Sequence, residues 1–426
     1  MKTKRNILQQ QLVKTVKEKY PVAEEFESEL PAVVTHLMQN SKDQAPFITS
    51  ECQKALVEQI TACRKELPCE EAAETGFDSL IPEEMLPDLF SDLPFGPPQK
   101  WDFTFIDLFA GIGGFRIAFQ EAGGKCVFSC EWDKYAKQTY AHNYGEIPYG
   151  DIRLIPKEMI PDHDVLCAGF PCQPFSLAGV SKKNSLGRKH GFEDETQGTL
   201  FFEIKEILRL KRPKAFMLEN VKNLLSHDKG RTFEIIRRSL EDELGYVINW
   251  KIVDGAAWVP QHRERMYLIG FDPNRIPIKK DEINIPEGPG KGYRYPKLSR
   301  IIEKNVEGLT LGPGTWATLE RHKAHHAEAG NGFGYGLHKW PIKDDEVTRT
   351  ISARYHKDGA EILIEQPGDR PRKLSVKEAM QLQGYNPKMF EFPVSATQAY
   401  HQIGNSVVVP AVAASARFVA TIIRGR

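Results

Sequence analysis

Between Trp101 and about Ile278 the chain alternates short apolar runs with stretches in which apolar residues recur every three or four positions. The runs FTFIDLFAG, KCVFSCEW, HDVLCAGF, KAFMLEN and RMYLIGF are short and nearly continuous in apolar character, which predicts buried strands. FRIAFQEAG, AKQTYAHNY, TLFFEIKEILRLK and TFEIIRRSLEDELG carry the helical period and predict the helices between them. Such alternation predicts a doubly wound α/β domain, with ligands beyond the carboxyl ends of its strands.

On either side the pattern changes. Residues 1 to about 98 read as helical, through ILQQQLVKTVKEKY, AVVTHLMQN and TSECQKALVEQITACRKEL. In the last of these Cys52, Ala55, Leu56, Ile60 and Cys63 recur at helical spacing behind Ser50, the expected N-cap. The zone closes with LPDLFSDLPFGPPQK, whose Pro and Gly predict a linker. From about Lys279 to Gly368 the chain turns to Gly, Pro, His and aromatics, predicting loops and short strands. Helical character returns in RKLSVKEAMQLQGY and HQIGNSVVVPAVAASARFVATII. The expected division is an N-terminal helical extension and linker (1–98), a catalytic domain (99–280 plus 400–426) and a smaller, mostly β domain (281–399).

Composition narrows the class. The 426 residues are 41% apolar and 27% charged, as in a soluble globular protein. There is no apolar run of about 18 residues and no apolar core in MKTKRNILQQQLVKTVKEKY, so neither a membrane span nor a secretory signal is expected. Seven cysteines (52, 63, 69, 126, 130, 167 and 172), odd in number and widely spread, fit a reducing cytoplasm. Cys63 and Cys69 lack a second pair, and His322, His325 and His326 sit among Arg and Lys as a polar helix face, so no metal is expected. Formal charge is zero, but residues 1–100 carry about −6 and the remainder about +6. That body suits a polyanion and equally an ordinary solvated surface.

The chemistry-bearing residues fall at the predicted strand ends. After Asp107 the first strand runs into Gly111, Gly113 and Gly114, a turn that lets a ligand approach the backbone or serves as a plain strand-to-helix connection. It lacks the third glycine of the dinucleotide fingerprint. Glu131, about 20 residues on, stands where a ribose-binding carboxylate belongs, and Asp151 follows the next, third expected strand. Three acids in step at successive strand ends point to a nucleoside-bearing cofactor. The fourth strand delivers GFPCQPFS, with Cys172 fenced by prolines, and the fifth ends at Glu219-Asn220-Val221. A thiol and an acid without an obvious catalytic His suit addition of a thiolate to an electron-poor ring, with the acid protonating it. Arg263 and Arg265 of QHRER alternate, so both point to one face as anion or carbonyl binders, or as a solvated strand end.

The blocks DLFAGIGGFR, EWDKYA, GDI, GFPCQPFS, GFEDETQGTLFFE, LENVKNL, PQHRER, RKLSVKEAMQLQGY and QIGNSVVVP follow one another in that order. Together, over about residues 103–280 and 370–415, they resemble the motif series of DNA cytosine-C5 methyltransferases. GVSKKNSLGRKHGF, GNGFGYG and VTRTISARYHKDGAEILI further resemble the Dcm-type branch, whose members modify short palindromes built on CC…GG. One departure is Lys377–Glu378, where many members have Arg-Glu.

The resemblance implies a Rossmann-like, S-adenosylmethionine-dependent methyltransferase domain with a target-recognition domain. It implies Cys172 as the nucleophile on cytosine C6 and Glu219 as the acid at N3 and the 4-amino group. Asn220 would fix that turn, and Arg265 with Arg263 would position the nucleotide. Phe109, Gly111, Ile112 and Gly113 would floor the cofactor pocket, with Glu131 on the ribose, Trp132 on the adenine face, and Asp151 and Ile152 on its edge. Pro171, Leu200, Asn405 and Val407 would close it around the methionine part. Duplex DNA would be held by Gln173, Ser176, Lys182, Lys183 and Arg188 of a basic loop, and read by Arg349, Thr350 and Arg354. The implied product is S-adenosylhomocysteine. The implied setting is a monomer on nucleoid DNA in a bacterial cytoplasm, with a cognate restriction endonuclease or as an orphan methylase. Three rivals stay open: a non-catalytic nucleic-acid-binding regulator, an RNA cytosine methyltransferase and a nicotinamide oxidoreductase. Intact Cys172, Glu219 and Arg265, the sizeable 281–368 region and the missing glycine weigh against them in turn.

Overall fold

The computed structural model describes residues 4–20, 22–41, 45–65, 87–170, 200–328, 330 and 334–425. Four helices come first: α1 (Lys4–Lys19), α2 (Leu30–Gln39), α3 (Ser50–Lys65) and the single-turn α4 (Pro87–Phe90). There follow β1 (Phe103–Leu108), α5 (Gly114–Glu121), β2 (Gly124–Cys130), α6 (Lys134–Tyr144), β3 (Val165–Gly169), α7 (Leu200–Lys211), β4 (Ala215–Val221), α8 (Arg231–Arg238), β5 (Val247–Asp254) and β6 (Glu264–Phe271). These six strands form one sheet in the order β2-β1-β3-β4-β6-β5. β2, β1, β3 and β4 are parallel, and β6 runs antiparallel to both of its neighbours.

The five strands predicted from the apolar runs are present, but the further strand expected before Asp151 is only a single bridge between Tyr149 and Cys130. The sheet's sixth strand, β5, escapes the pattern because it is an edge strand: only Ile248 and Val253 are buried, and NWK between them is half exposed. The order reverses at β1, which sends the chain to β2 on one side and has β3 on the other. The carboxyl ends of β1 and β3 therefore flank a switch-point crevice.

Alternate residues of each strand feed two cores. Phe105, Cys167 and Met217 meet α5 and the last helix, α13 below, while Ile106, Leu166 and Leu218 meet α7. The N-terminal helices share this second core through Leu12, Val16, Val33, Leu37, Cys52, Leu56 and Ile60. Two expectations change here. The hydroxyl of Thr49, not Ser50, caps α3 by accepting from Cys52 N at 3.2 Å. The expected linker is a packed strap: Leu89 and Phe90 are buried, and Phe95 lies 5.8 Å from the Tyr144 ring and 6.2 Å from Phe390.

Beyond the sheet come α9 (Leu298–Ile301), α10 (Pro313–Glu328), and β7 (Leu337–His338), β8 (Leu363–Gln366) and β9 (Asp369–Arg372), which form a small second sheet. The chain closes with α11 (Val376–Gln381), α12 (Ala396–Asn405) and α13 (Val409–Ile423). No single helix among the described residues is long and apolar enough to cross a membrane.

Ser375 and Glu378 form a capping box at the start of α11. Glu378, fully buried, also takes both Arg372 Nη1 and Nη2 at 2.8 Å and accepts from Glu303 N at 2.7 Å. Glu378→Ala strands a buried guanidinium and two amides. It is expected to cost about 3–5 kcal/mol of stability, read as a lower urea midpoint at unchanged m-value.

Candidate active site

At the end of β1 the backbone turns through left-handed conformations at Phe109 (φ 54°), Gly111 (φ 55°) and Gly113 (φ 80°). Gly113 has no room for a Cβ, which would overlap the Tyr144 ring. The Tyr144 hydroxyl shares its proton between Ile112 O and Gly113 O, at 3.0 and 2.9 Å, and so holds the turn from below. Glu131, just beyond β2, accepts from Gly111 N and from Asp133 N, both at 2.8 Å. Burial raises its pKa against the pull of those amides. Trp132 beside it is 77% exposed, an indole face left open to solvent.

Farther along this edge, Asp151 accepts from Arg153 N at 3.0 Å and Arg153 Nε at 2.9 Å. Burial works to raise its pKa, but the Arg153 contacts outweigh it and hold the carboxyl below its usual range. Ile152 is buried. Val407 presses on Gly114, Leu200 opens α7 and Asn405 ends α12 exposed. Asp107, the first acid of the sequence series, is not on this surface. It is fully buried below the turn, where desolvation holds its carboxyl well above the usual range.

The second cluster lies at the end of β4. Glu219 is in register with Gly169 at the end of β3, and Val221 with Arg265 of β6. Glu219 Oε1 stands 3.1 Å from Arg265 Nε. Burial raises the Glu219 pKa, opposed by the charges of Arg265 and Arg263. Asn220 Nδ2 donates to Phe170 O at 2.9 Å, tying the end of β3 to the end of β4.

Arg263 and Arg265 do different work. Arg263 is buried and donates to Ile351 O, Gly404 O and Ser406 O at 3.1, 2.9 and 2.6 Å. Burial, with Arg265 nearby, pushes its pKa down to about 9. Its guanidinium thus binds three carbonyls from two backbone segments, at Ile351 and at Gly404–Ser406, while that of Arg265 faces Glu219. The 348–351 segment is zipped onto the same loop: Thr350 Oγ1 donates to His262 O at 2.5 Å, and Ile351 N to Gln261 Oε1 at 2.8 Å. Arg349 is exposed and donates to Gly334 O. Arg354 is exposed; its backbone N–H donates to Ser352 Oγ at 3.1 Å and its carbonyl accepts from Lys357 N at 2.9 Å.

Pro171, Cys172, Gln173, Ser176, Lys182, Lys183 and Arg188 lie outside the described residues. Among the described residues no three His, Cys, Asp or Glu side chains gather as a metal site. A family model described as C-5 cytosine-specific DNA methylase matches residues 103–420. The chain belongs to this family. It is a DNA (cytosine-5-)-methyltransferase. The DNA-cytosine methyltransferase of Escherichia coli strain K12 is 46% identical to this methylase over 366 residues, covering 74% of this chain and 77% of that one. The type II methyltransferase M.SsoII of Shigella sonnei is 48% identical over 332 residues, covering 76% and 83%. The solved structure of the S. pombe Dnmt2 methyltransferase shares the fold, with a TM-score of 0.59 at 17% identity over 76% of this chain and 99% of that one.

Sequence reasoning missed two residues that shape this candidate site of the methylase. Tyr144 carries the glycine turn, and buried Arg116 donates to Glu146 Oε2 at 2.6 Å and Tyr140 Oη at 3.2 Å close behind it. The available signal is their position: two polar-headed residues where the helical period of FRIAFQEAG and AKQTYAHNY asks for buried ones.

Proposed function

We propose that this methylase modifies C5 of a cytosine rotated out of a short CC…GG-type palindrome in duplex DNA, through a covalent bond between the Cys172 sulfur and C6. The observation that carries the reading is the pairing of buried Glu219 with partly exposed Arg265, Glu219 being in register with the strand end that precedes Cys172 in the sequence. A base cannot be attacked within the stack, so the cytosine must be flipped out. Cys172 adds to C6 as a thiolate. Glu219, whose burial favours its protonated form, donates to N3, and Arg265 meets the O2 side. Once C5 carries a methyl group beside its proton, loss of that proton and β-elimination of the thiolate free the product.

S-adenosylmethionine, when bound, supplies the methyl group. The donor set beyond β1 and β2 suits its nucleoside: a close-approach glycine turn, a carboxylate at ribose distance along the chain, and an open indole face. Phe109, Gly111, Ile112, Gly113, Glu131, Trp132, Asp151 and Ile152 would hold the adenosine, and Pro171, Leu200, Asn405 and Val407 the methionine end. Gln173, Ser176, Lys182, Lys183 and Arg188 would grip phosphates. We assign residues 281–399 to target recognition and Arg263 to positioning that region against the catalytic strand. The resemblance to type II enzymes supports a role beside a cognate endonuclease.

Incubation with tritiated S-adenosylmethionine and plasmid DNA, followed by bisulfite sequencing, tests the reading. Label confined to cytosines in CC…GG sites supports it. No label in DNA from protein that binds the cofactor, or label at other sites, overturns it. Arg354→Ala is expected to cut discrimination for the site roughly 5- to 150-fold with normal cofactor binding; unchanged site preference places base reading elsewhere.

A further inference from the structure

The segment from Tyr144 to Ile152 runs along the outer edge of β2 and ends in Asp151–Ile152. It follows that edge through Tyr149 N to Ser129 O at 2.9 Å, Glu131 N to Tyr149 O at 2.8 Å and the Cys130 thiol to Gly150 O at 2.7 Å. On its other side it is held by the N-terminal extension. Gln39 Nε2 donates to Tyr144 O at 2.8 Å, Ile147 N to Thr35 Oγ1 at 2.9 Å and Gly150 N to Glu29 Oε2 at 2.8 Å. The three anchored residues are three apart, so the grip covers the segment from end to end.

Each end of that grip reaches a cofactor-facing group. At the first, Tyr144 carries the Ile112–Gly113 turn on its hydroxyl. Gln39 Oε1 also accepts from Arg116 Nη2 at 2.9 Å, joining the buried cluster behind the turn. At the second, Gly150 immediately precedes Asp151, and a Cβ there would run into the Glu29 carboxylate. Between them the Tyr149 ring lies 5.7 Å from His36 and 6.3 Å from Phe47. α2 is buried on nearly every side, Thr35, His36 and Gln39 included. Polar groups buried in this way fix one geometry, because none can trade its partner for water.

We infer that residues 24–40 are a brace that sets the position of the adenosine-facing wall, with Glu29, Thr35 and Gln39 as positioning residues for cofactor binding. The inference rests on the reading of Asp151 and Ile152 as part of that wall. It gives the extension, which lies outside the matched family region, a part in the reaction. The brace acts on cofactor binding and leaves DNA recognition alone.

The test uses full-length Thr35→Val and Glu29→Ala, each beside a conservative partner that keeps an acceptor, Thr35→Ser and Glu29→Gln. Each loss is expected to raise KM for S-adenosylmethionine about fivefold, the worth of one hydrogen bond. kcat at saturating cofactor should stay within about twofold, with unchanged site preference and near wild-type KM in the conservative partners. Unchanged KM in Thr35→Val and Glu29→Ala overturns the inference. So does a joint fall of kcat, affinity and thermal midpoint without rescue, the mark of plain structural support. Asp151→Ala is measured alongside. If it raises KM while the brace variants do not, the brace alone fails; if it leaves KM unchanged, the wall reading fails.

Discussion

Glu219→Gln is expected to lower kcat for methyl transfer by about 10²–10⁴-fold, the range for loss of a general acid, with cofactor binding within about twofold of wild type. The amide keeps an oxygen for Arg265 Nε, so the 3.1 Å contact and the packing at the end of β4 have a substitute, while the transferable proton has none. Burial raises the Glu219 pKa, against the opposing charges of Arg265 and Arg263. A raised pKa enlarges the protonated fraction at any given pH. Wild-type kcat is therefore expected to fall as pH rises through that pKa, on a limb missing from Glu219→Gln. Steady-state rates with tritiated cofactor across pH measure both. A loss under tenfold, or an identical alkaline limb in the variant, removes Glu219 from the acid role.

The strands that build the site were legible because they are buried on both faces and read as unbroken apolar runs. β5 was not, because an edge strand with half-exposed positions carries neither a continuous run nor a clean alternation. The reversed direction of β6 is equally invisible: RMYLIGF has the same composition whichever way it pairs, and only topology sets its sense. Strand-end motifs located the residues of both clusters but not their partners. Arg263 and Arg265 look equivalent two positions apart, yet one guanidinium is spent on Ile351, Gly404 and Ser406 carbonyls and the other faces Glu219. That division depends on segments some 90 to 140 residues away. Thr350 shows the same limit, since its hydroxyl is taken by His262 O. The N-terminal extension was legible as helix but not as brace. Its one signal is α2 itself, apolar on nearly all sides in a short helix, which marks burial rather than a surface element.

Cys172→Ser is expected to abolish methyl transfer, by about 10⁴- to 10⁶-fold on the scale of other nucleophile losses, and to abolish covalent trapping by duplex DNA carrying 5-fluorocytosine. A thiol is partly ionised near neutral pH and its thiolate is a strong nucleophile, whereas a serine hydroxyl needs a base beside it to react at all. Four other cysteines offer no substitute. Cys52, Cys126, Cys130 and Cys167 are all buried, and burial raises the pKa of each, keeping them as unreactive thiols. Gly169, three residues before Cys172 in the sequence, is in register with Glu219, and Asn220 holds the Phe170 carbonyl. Denaturing electrophoresis of the trapped complex reads the adduct, and cofactor and DNA binding are measured on the same preparation to show that the variant is folded. An adduct that survives the substitution, or methyl transfer within about tenfold of wild type, assigns the attack on C6 to another group.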